Sequence, residues 1–61
     1  MKDFYGDEVF IGDYIALIDI AEEERESMKY KIIAQTSMGI IVISADGSST
    51  FLKNLKNWVS M

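Results

Sequence analysis

The 61-residue chain contains no cysteine, no histidine and no proline. Without cysteine it has no disulfide framework, no zinc knuckle and no thiol nucleophile. Without histidine it has no Ser–His or Cys–His relay and no imidazole base. No stretch approaches the ~20 apolar residues of a membrane-spanning helix. The opening residues Met1-Lys2-Asp3-Phe4 lack the apolar core of a signal peptide. Absence of cysteine fits an intracellular protein, so the expected location is the cytoplasm. Basic residues are few: six Lys and Arg stand against ten Asp and Glu, for a net charge of −4. Phosphate contacts need a positive field, so a chain this acidic is a poor general binder of nucleic acid.

What is present is a dense apolar set. Nine Ile, three Val, three Leu, three Phe, three Tyr and one Trp occur in one short domain spanning residues 1–61. Each large side chain that is fully buried contributes roughly 1.5–3 kcal/mol, so a compact core is attainable, though a domain this small buries only ~60% of its unfolded surface. Self-association or docking on a partner would add to it. Charge is uneven. Residues 1–26 carry nine acids against Lys2 and Arg25, a net of −7, while residues 27–61 carry a net of +3.

Turn chemistry punctuates the first thirteen residues, around Tyr5–Asp7 and at Gly12-Asp13, with a short apolar stretch Glu8–Ile11 between them. The run 14–20, Tyr-Ile-Ala-Leu-Ile-Asp-Ile, predicts a strand. Ala21–Ser27 has helix propensity but is too short for a stable helix and reads as an exposed hairpin loop with room for one helical turn. Residues 28–35 alternate: Met28, Tyr30, Ile32 and Ala34 face one way, Lys29, Lys31 and Gln35 the other, with Ile33 the exception. Thr36–Gly39 reads as a turn and Ile40–Ile43, four β-branched residues, as a strand. Asp46-Gly47 predicts a hairpin turn with left-handed geometry open to both residues. Thr50–Leu52 returns as a strand. One helical turn at Lys53–Lys56 follows, then a closing strand Trp58–Ser60; a longer helix over 50–58 is the competing reading. Five short strands with tight turns predict an all-β fold, a small five-stranded SH3-like half-open barrel with one short helical turn before the last strand.

The spacing Asp3-x-Tyr5-Gly6-x-x-Val9-x-x-Gly12-Asp13-x-Ile15-Ala16 resembles a group of uncharacterised small proteins of tailed bacteriophages with SH3-like, KOW-related barrels. In that group an Asp-x-x-Gly segment leads into Gly-Asp-x-Val and then an acidic or polar loop, a strand, a Thr-containing turn and a Val-rich strand. Those parts correspond here to Glu22–Ser27, Met28–Gln35, Thr36–Gly39 and Ile40–Ser44, with Asn54-Leu55 near the last strand. An acidic barrel of this kind without catalytic residue types is expected to be a small phage-type accessory protein that binds and modulates a host or phage protein in the host cytoplasm, as in anti-defence or host takeover. KOW-type modules that bind ribosomal or RNA-polymerase partners carry a glycine where Lys31 stands, and a basic loop where residues 22–26 are mostly Glu, which argues against a carried-over RNA-binding role.

The conspicuous polar feature is the set Asp7, Glu8, Asp13, Glu22, Glu23, Glu24 and Glu26, an acidic surface suited to a basic protein partner. Hard cations choose carboxylate oxygens, but the Glu spacing matches no EF-hand, so neither metal nor cofactor is expected. Asp7, Glu8 and Asp13 are close in sequence; turn acids more often bond nearby backbone N–H groups than perform acid–base work. No catalytic residue is expected. An alternative is a nucleic-acid-binding module using Lys29, Lys31, Lys53 and Lys56; a second is a self-assembling homo-oligomer. Phe10 and Tyr14 are expected in the core, Phe4 and Tyr5 over a barrel end, and Trp58 in the core or at barrel closure.

Overall fold

In the computed structural model, which describes residues 1–61, the chain is all-β. Five strands, β1 (Tyr14–Leu17), β2 (Tyr30–Thr36), β3 (Gly39–Ser44), β4 (Ser49–Leu52) and β5 (Trp58–Ser60), form one antiparallel sheet. Strands β1 to β4 follow one another as a meander. The chain then crosses back so that β5 pairs with β1, in the order β4-β3-β2-β1-β5. The two end strands do not pair with each other, so the barrel-like sheet stays open between β4 and β5.

The main core cluster lies on one face, while Ala16 and Val59, paired with each other, are buried on the opposite one. Val9, Ile15, Ile32, Ile40, Val42 and Leu55 are almost fully buried, with Met1, Tyr30, Leu52 and Trp58 packed against them. Two irregular segments cover this face. The first, residues 1–13, runs from the outer edge of β5 to the start of β1: the Phe4 N–H donates to the Trp58 carbonyl at 2.7 Å, the Gly12 N–H donates to the Ile32 carbonyl at 2.8 Å, and Val9 between them enters the core. The second, residues 53–57, inserts Leu55. Trp58, packed against the core, meets Tyr30 edge to face at 5.3 Å.

Strand β1 is shorter than its apolar run, ending at Leu17 rather than Ile20. Beyond Leu17 the carbonyls find a side-chain donor in place of a strand: Arg25 Nε donates to the Ile20 carbonyl at 3.1 Å and a terminal nitrogen to the Ile18 carbonyl at 3.0 Å. The single helical turn, a 3-10 turn, lies at Glu22–Glu24 rather than before β5. Before β5 the chain makes a turn closed by Trp58 N–H to the Leu55 carbonyl, 3.1 Å, and the reading of a helix over 50–58 gives way to β4. The backbone favours this because β4 has a partner row along β3, whereas one isolated helical turn has none.

Ile33 is a β-bulge. Ile32 stands opposite Val42, but Ala34 stands opposite Ile41 and Gln35 opposite Ile40. One extra residue reverses which way the chain faces beyond it. Ala34 therefore shares the outer face with Ile41, and not the core face with Ile32.

Both hairpins depart from the simplest turn. Neither Ser37 nor Met38 has a positive φ, so the two-residue loop lacks the mirror-image geometry that suits strand twist. The Thr36 hydroxyl compensates, accepting from the Met38 and Gly39 N–H groups, each at 3.2 Å, and donating to the Gly39 carbonyl. In the Asp46-Gly47 loop only Gly47 is left-handed, at φ +90°. Ser44 and Ser48 pair across a three-residue loop, and the Asp46 carboxylate accepts the Ser48 N–H and the Ser44 hydroxyl.

Two aromatics expected in the core are outside it. Phe10, 61% exposed, sits in a turn, and Tyr14, 39% exposed, stands opposite Lys31 on the outer face. Its neighbour Ile15 takes the inward position.

Candidate functional site

Two aspartates shape the covering segment 1–13. Asp3 is buried, and its Oδ1 accepts the N–H groups of Tyr5 at 3.0 Å and Asp7 at 2.9 Å. Its Oδ2 accepts the Ser60 N–H of β5 at 2.9 Å. Burial pushes the Asp3 carboxyl up, but the Ser60, Asp7 and Tyr5 hydrogen bonds outweigh it and hold the pKa below the ordinary value. Asp13 does the same work at the other end, accepting the Phe10 N–H at 2.8 Å while its own N–H donates to the Phe10 carbonyl. The left-handed residues that each turn requires are Gly6 and Gly12.

This frame holds four large apolar side chains away from the core. Phe4, Tyr5, Phe10 and Ile11 are 53%, 67%, 61% and 60% exposed. Phe4 and Tyr5 meet edge to face at 5.2 Å. Interspersed are two of the acidic residues singled out from the sequence. Asp7 is exposed with a free carboxylate; Glu8 is exposed and pairs with the Met1 amino group.

The other acids lie on the β1–β2 loop. Glu22, Glu23 and Glu24 are exposed on the 3-10 turn. Arg25 of the same loop faces inward to the Ile18 and Ile20 carbonyls, and Lys29 pairs with Glu26, so these three carboxylates have no salt bridge. Glu26 binds Lys29. Glu22, Arg25 and Glu26 border a recess with Val59, Ser60 and Met61, which brings this loop beside β5. Segment 1–13 reaches β5 through Asp3 and Phe4. Of the predicted acidic set, then, Asp13 is engaged in building a turn, Glu8 and Glu26 are paired, and Asp7, Glu22, Glu23 and Glu24 face solvent unpaired. No three carboxylates converge into a set that could hold a metal ion.

The lysines divide differently. The Lys29 and Lys31 ammonium groups lie 4.6 Å and 6.0 Å from the Tyr14 ring centre, beside a recess that also includes Ile43, Ser44 and Ala45. The hydrogen bond that Lys29 donates to the Glu26 carboxylate holds its ammonium above the ordinary pKa. None of the three surface recesses includes Lys53 or Lys56. No helix is long and apolar enough to cross a membrane.

No family model, curated protein or solved structure matches this chain. The site therefore rests on its own geometry. The acids were read from the sequence as a surface; Phe10, expected in the core, is instead exposed beside Phe4 and Tyr5. A signal was present: Phe4-Tyr5 and Phe10-Ile11 are adjacent apolar pairs inside Gly-Asp turns, where strand alternation cannot bury both members.

Proposed function

We propose that this protein is a non-catalytic binding module that docks a basic protein surface through segment 1–13 and the Glu22–Glu24 turn. One observation carries the reading: Phe4, Tyr5, Phe10 and Ile11 are more than half exposed on a segment whose backbone is fixed by two aspartate side chains. Aromatic anchors held in place before binding lose little entropy on docking, which is the arrangement of an interface hot spot. Asp7, Glu22, Glu23 and Glu24 supply the charge that steers a basic partner and fixes its orientation. Asp3 and Asp13 position the loop and make no contact themselves. The resemblance to small phage proteins supports a host or phage protein as the partner, met in the cytoplasm of the infected cell.

The test is capture from nuclease-treated bacterial lysate, with wild-type protein beside two variants. Tyr5→Ala removes an anchor, and a triple Glu22→Lys, Glu23→Lys, Glu24→Lys variant reverses the charge. A protein retained by the wild type and lost from both variants is the expected outcome. Retention unchanged by either variant, or lost on nuclease treatment alone, overturns the reading.

A further inference from the structure

The two edges of the sheet are treated in opposite ways. On β5, residues 57, 59 and 61 bond toward β1: the Ile18 N–H donates to the Asn57 carbonyl, Ala16 stands opposite Val59, and the Met61 N–H donates to the Tyr14 carbonyl. Trp58 and Ser60 therefore direct their backbone groups outward. Both are met there, the Trp58 carbonyl by the Phe4 N–H and the Ser60 N–H by the Asp3 carboxylate. That edge is covered.

The β4 edge is not. The Ser44 N–H donates to the Ser48 carbonyl, which fixes the alternation of the hairpin. Thr50 and Leu52 bond inward to β3 opposite Val42 and Ile40. Ser49 and Phe51 then point their N–H and C=O groups outward, where no other segment accepts or donates to them. The strand is Ser-Thr-Phe-Leu, with no charge, no proline and no bulge, the devices that normally guard an edge. Phe51 is 44% exposed on the outer face, beside half-buried Ile41 and Ile43.

The geometry points to a second copy of this chain as the occupant: two β4 strands pair antiparallel about a two-fold axis at Thr50. Ser49 of each copy then faces Phe51 of the other, and each such pair exchanges two backbone hydrogen bonds. The two Phe51 rings become diagonal neighbours on one face, within reach of each other. Lys53, just past the strand, comes to the Asp46-Gly47 turn of the other copy, so opposite charges meet at both ends. The net charge of −4 does not oppose this. The acidic loop joins β1 to β2, two to three strand spacings from β4, about 10–15 Å, beyond the ~8 Å screening length at physiological salt. The proposed partner-binding segment lies at the β5 side and remains free in the dimer.

The test is sedimentation equilibrium over a wide concentration range, together with amide exchange read residue by residue. A monomer–dimer equilibrium is expected, in which the Ser49 and Phe51 amides gain protection as concentration rises. Ser49→Lys, at an exposed position that bonds nothing inside the chain, should weaken dimerisation about tenfold or more and leave the thermal unfolding of the monomer unchanged. Three results would overturn the proposal. They are a monomer at all concentrations, a dimer that leaves both amides unprotected, or assemblies larger than two, which a closed two-fold edge does not allow. Protection of those amides only on adding another protein would assign the edge to a foreign strand.

Discussion

The Asp3 carboxylate accepts the backbone N–H of Ser60 at 2.9 Å, joining positions 57 residues apart. It stands where a sixth strand would stand, and ties the covering segment to the outer edge of β5.

Asp3→Ala should cost about 2–4 kcal/mol in urea unfolding, because three N–H groups lose a charged acceptor at a buried site. Asp3→Asn keeps the shape and one acceptor oxygen, and should cost less. The pH dependence has a definite sign. The folded carboxyl has a lowered pKa, so near its unfolded value of 3.8 the unfolded chain binds more protons. The stabilisation from Asp3 is complete above that value and is lost as pH falls through the lower folded one. Acid unfolding curves of Asp3→Asn should lack this part of the slope. A slope identical to wild type would assign it to another group, with Asp46, whose carboxyl is also held low by Ser44 and Ser48, the first to examine by Asp46→Asn.

Gly39 is required by its neighbours rather than by its own backbone angles. A Cβ there would lie 2.3 Å from the Leu52 carbonyl oxygen and 2.8 Å from the Phe51 ring. The ring can swing aside, but the carbonyl moves only if β4 does. Gly39→Ala should cost about 1–3 kcal/mol as an overpacked site, and adding Phe51→Ala should not restore it. Full rescue in the double variant would show that the ring, and not the strand, sets the limit.

Ile32 and Ile33 are adjacent and chemically identical, yet they should respond differently. Ile32→Ala empties a fully buried position and should cost about 2–5 kcal/mol. Ile33→Thr changes a bulged residue that is 43% exposed, and should stay within about 0.5 kcal/mol. Comparable losses at the two sites, measured by denaturant midpoint, would mean that the bulge is absent in solution.

Arg25→Ala should loosen the loop it ties down while adding to its negative charge. The Ile18 and Ile20 carbonyls lose their donors, so backbone exchange between residues 18 and 27 should speed up with little change at β3 and β4. Arg25→Lys should restore this only in part, since one ammonium cannot reproduce the planar fork that spans two carbonyls. Restoration in full would show that charge alone holds the loop.

Much of the strand pattern was legible because it is local. The runs at Ile40–Ile43 and Trp58–Ser60 became β3 and β5, and the break in alternation at Ile33 marked the residue that bulges. What that break does to the following residues was not legible, because facing beyond a bulge depends on the partner strand. The same holds for Leu55. The helical turn expected at Lys53–Lys56 is instead a short irregular segment from which Leu55 is buried as a plug. At the candidate site, Asp7 and Glu22–Glu24 could be read as exposed charge. Yet nothing local separates Asp7, whose carboxylate is free, from Asp13, whose carboxylate closes a turn.

By itself the sequence determined an all-β chain without thiol or imidazole chemistry, acidic in its first half and turned at Gly6, Gly12 and Gly47. These follow from residue identity and from backbone preferences that act over a few residues. Only the tertiary structure decided that Asp3 guards one edge while β4 is left bare, that Arg25 turns inward from its glutamates, and that Phe4, Tyr5, Phe10 and Ile11 face solvent. Each of these depends on which distant segment arrives to supply a hydrogen-bond partner or cover an apolar surface, and a local pattern carries no record of that arrival.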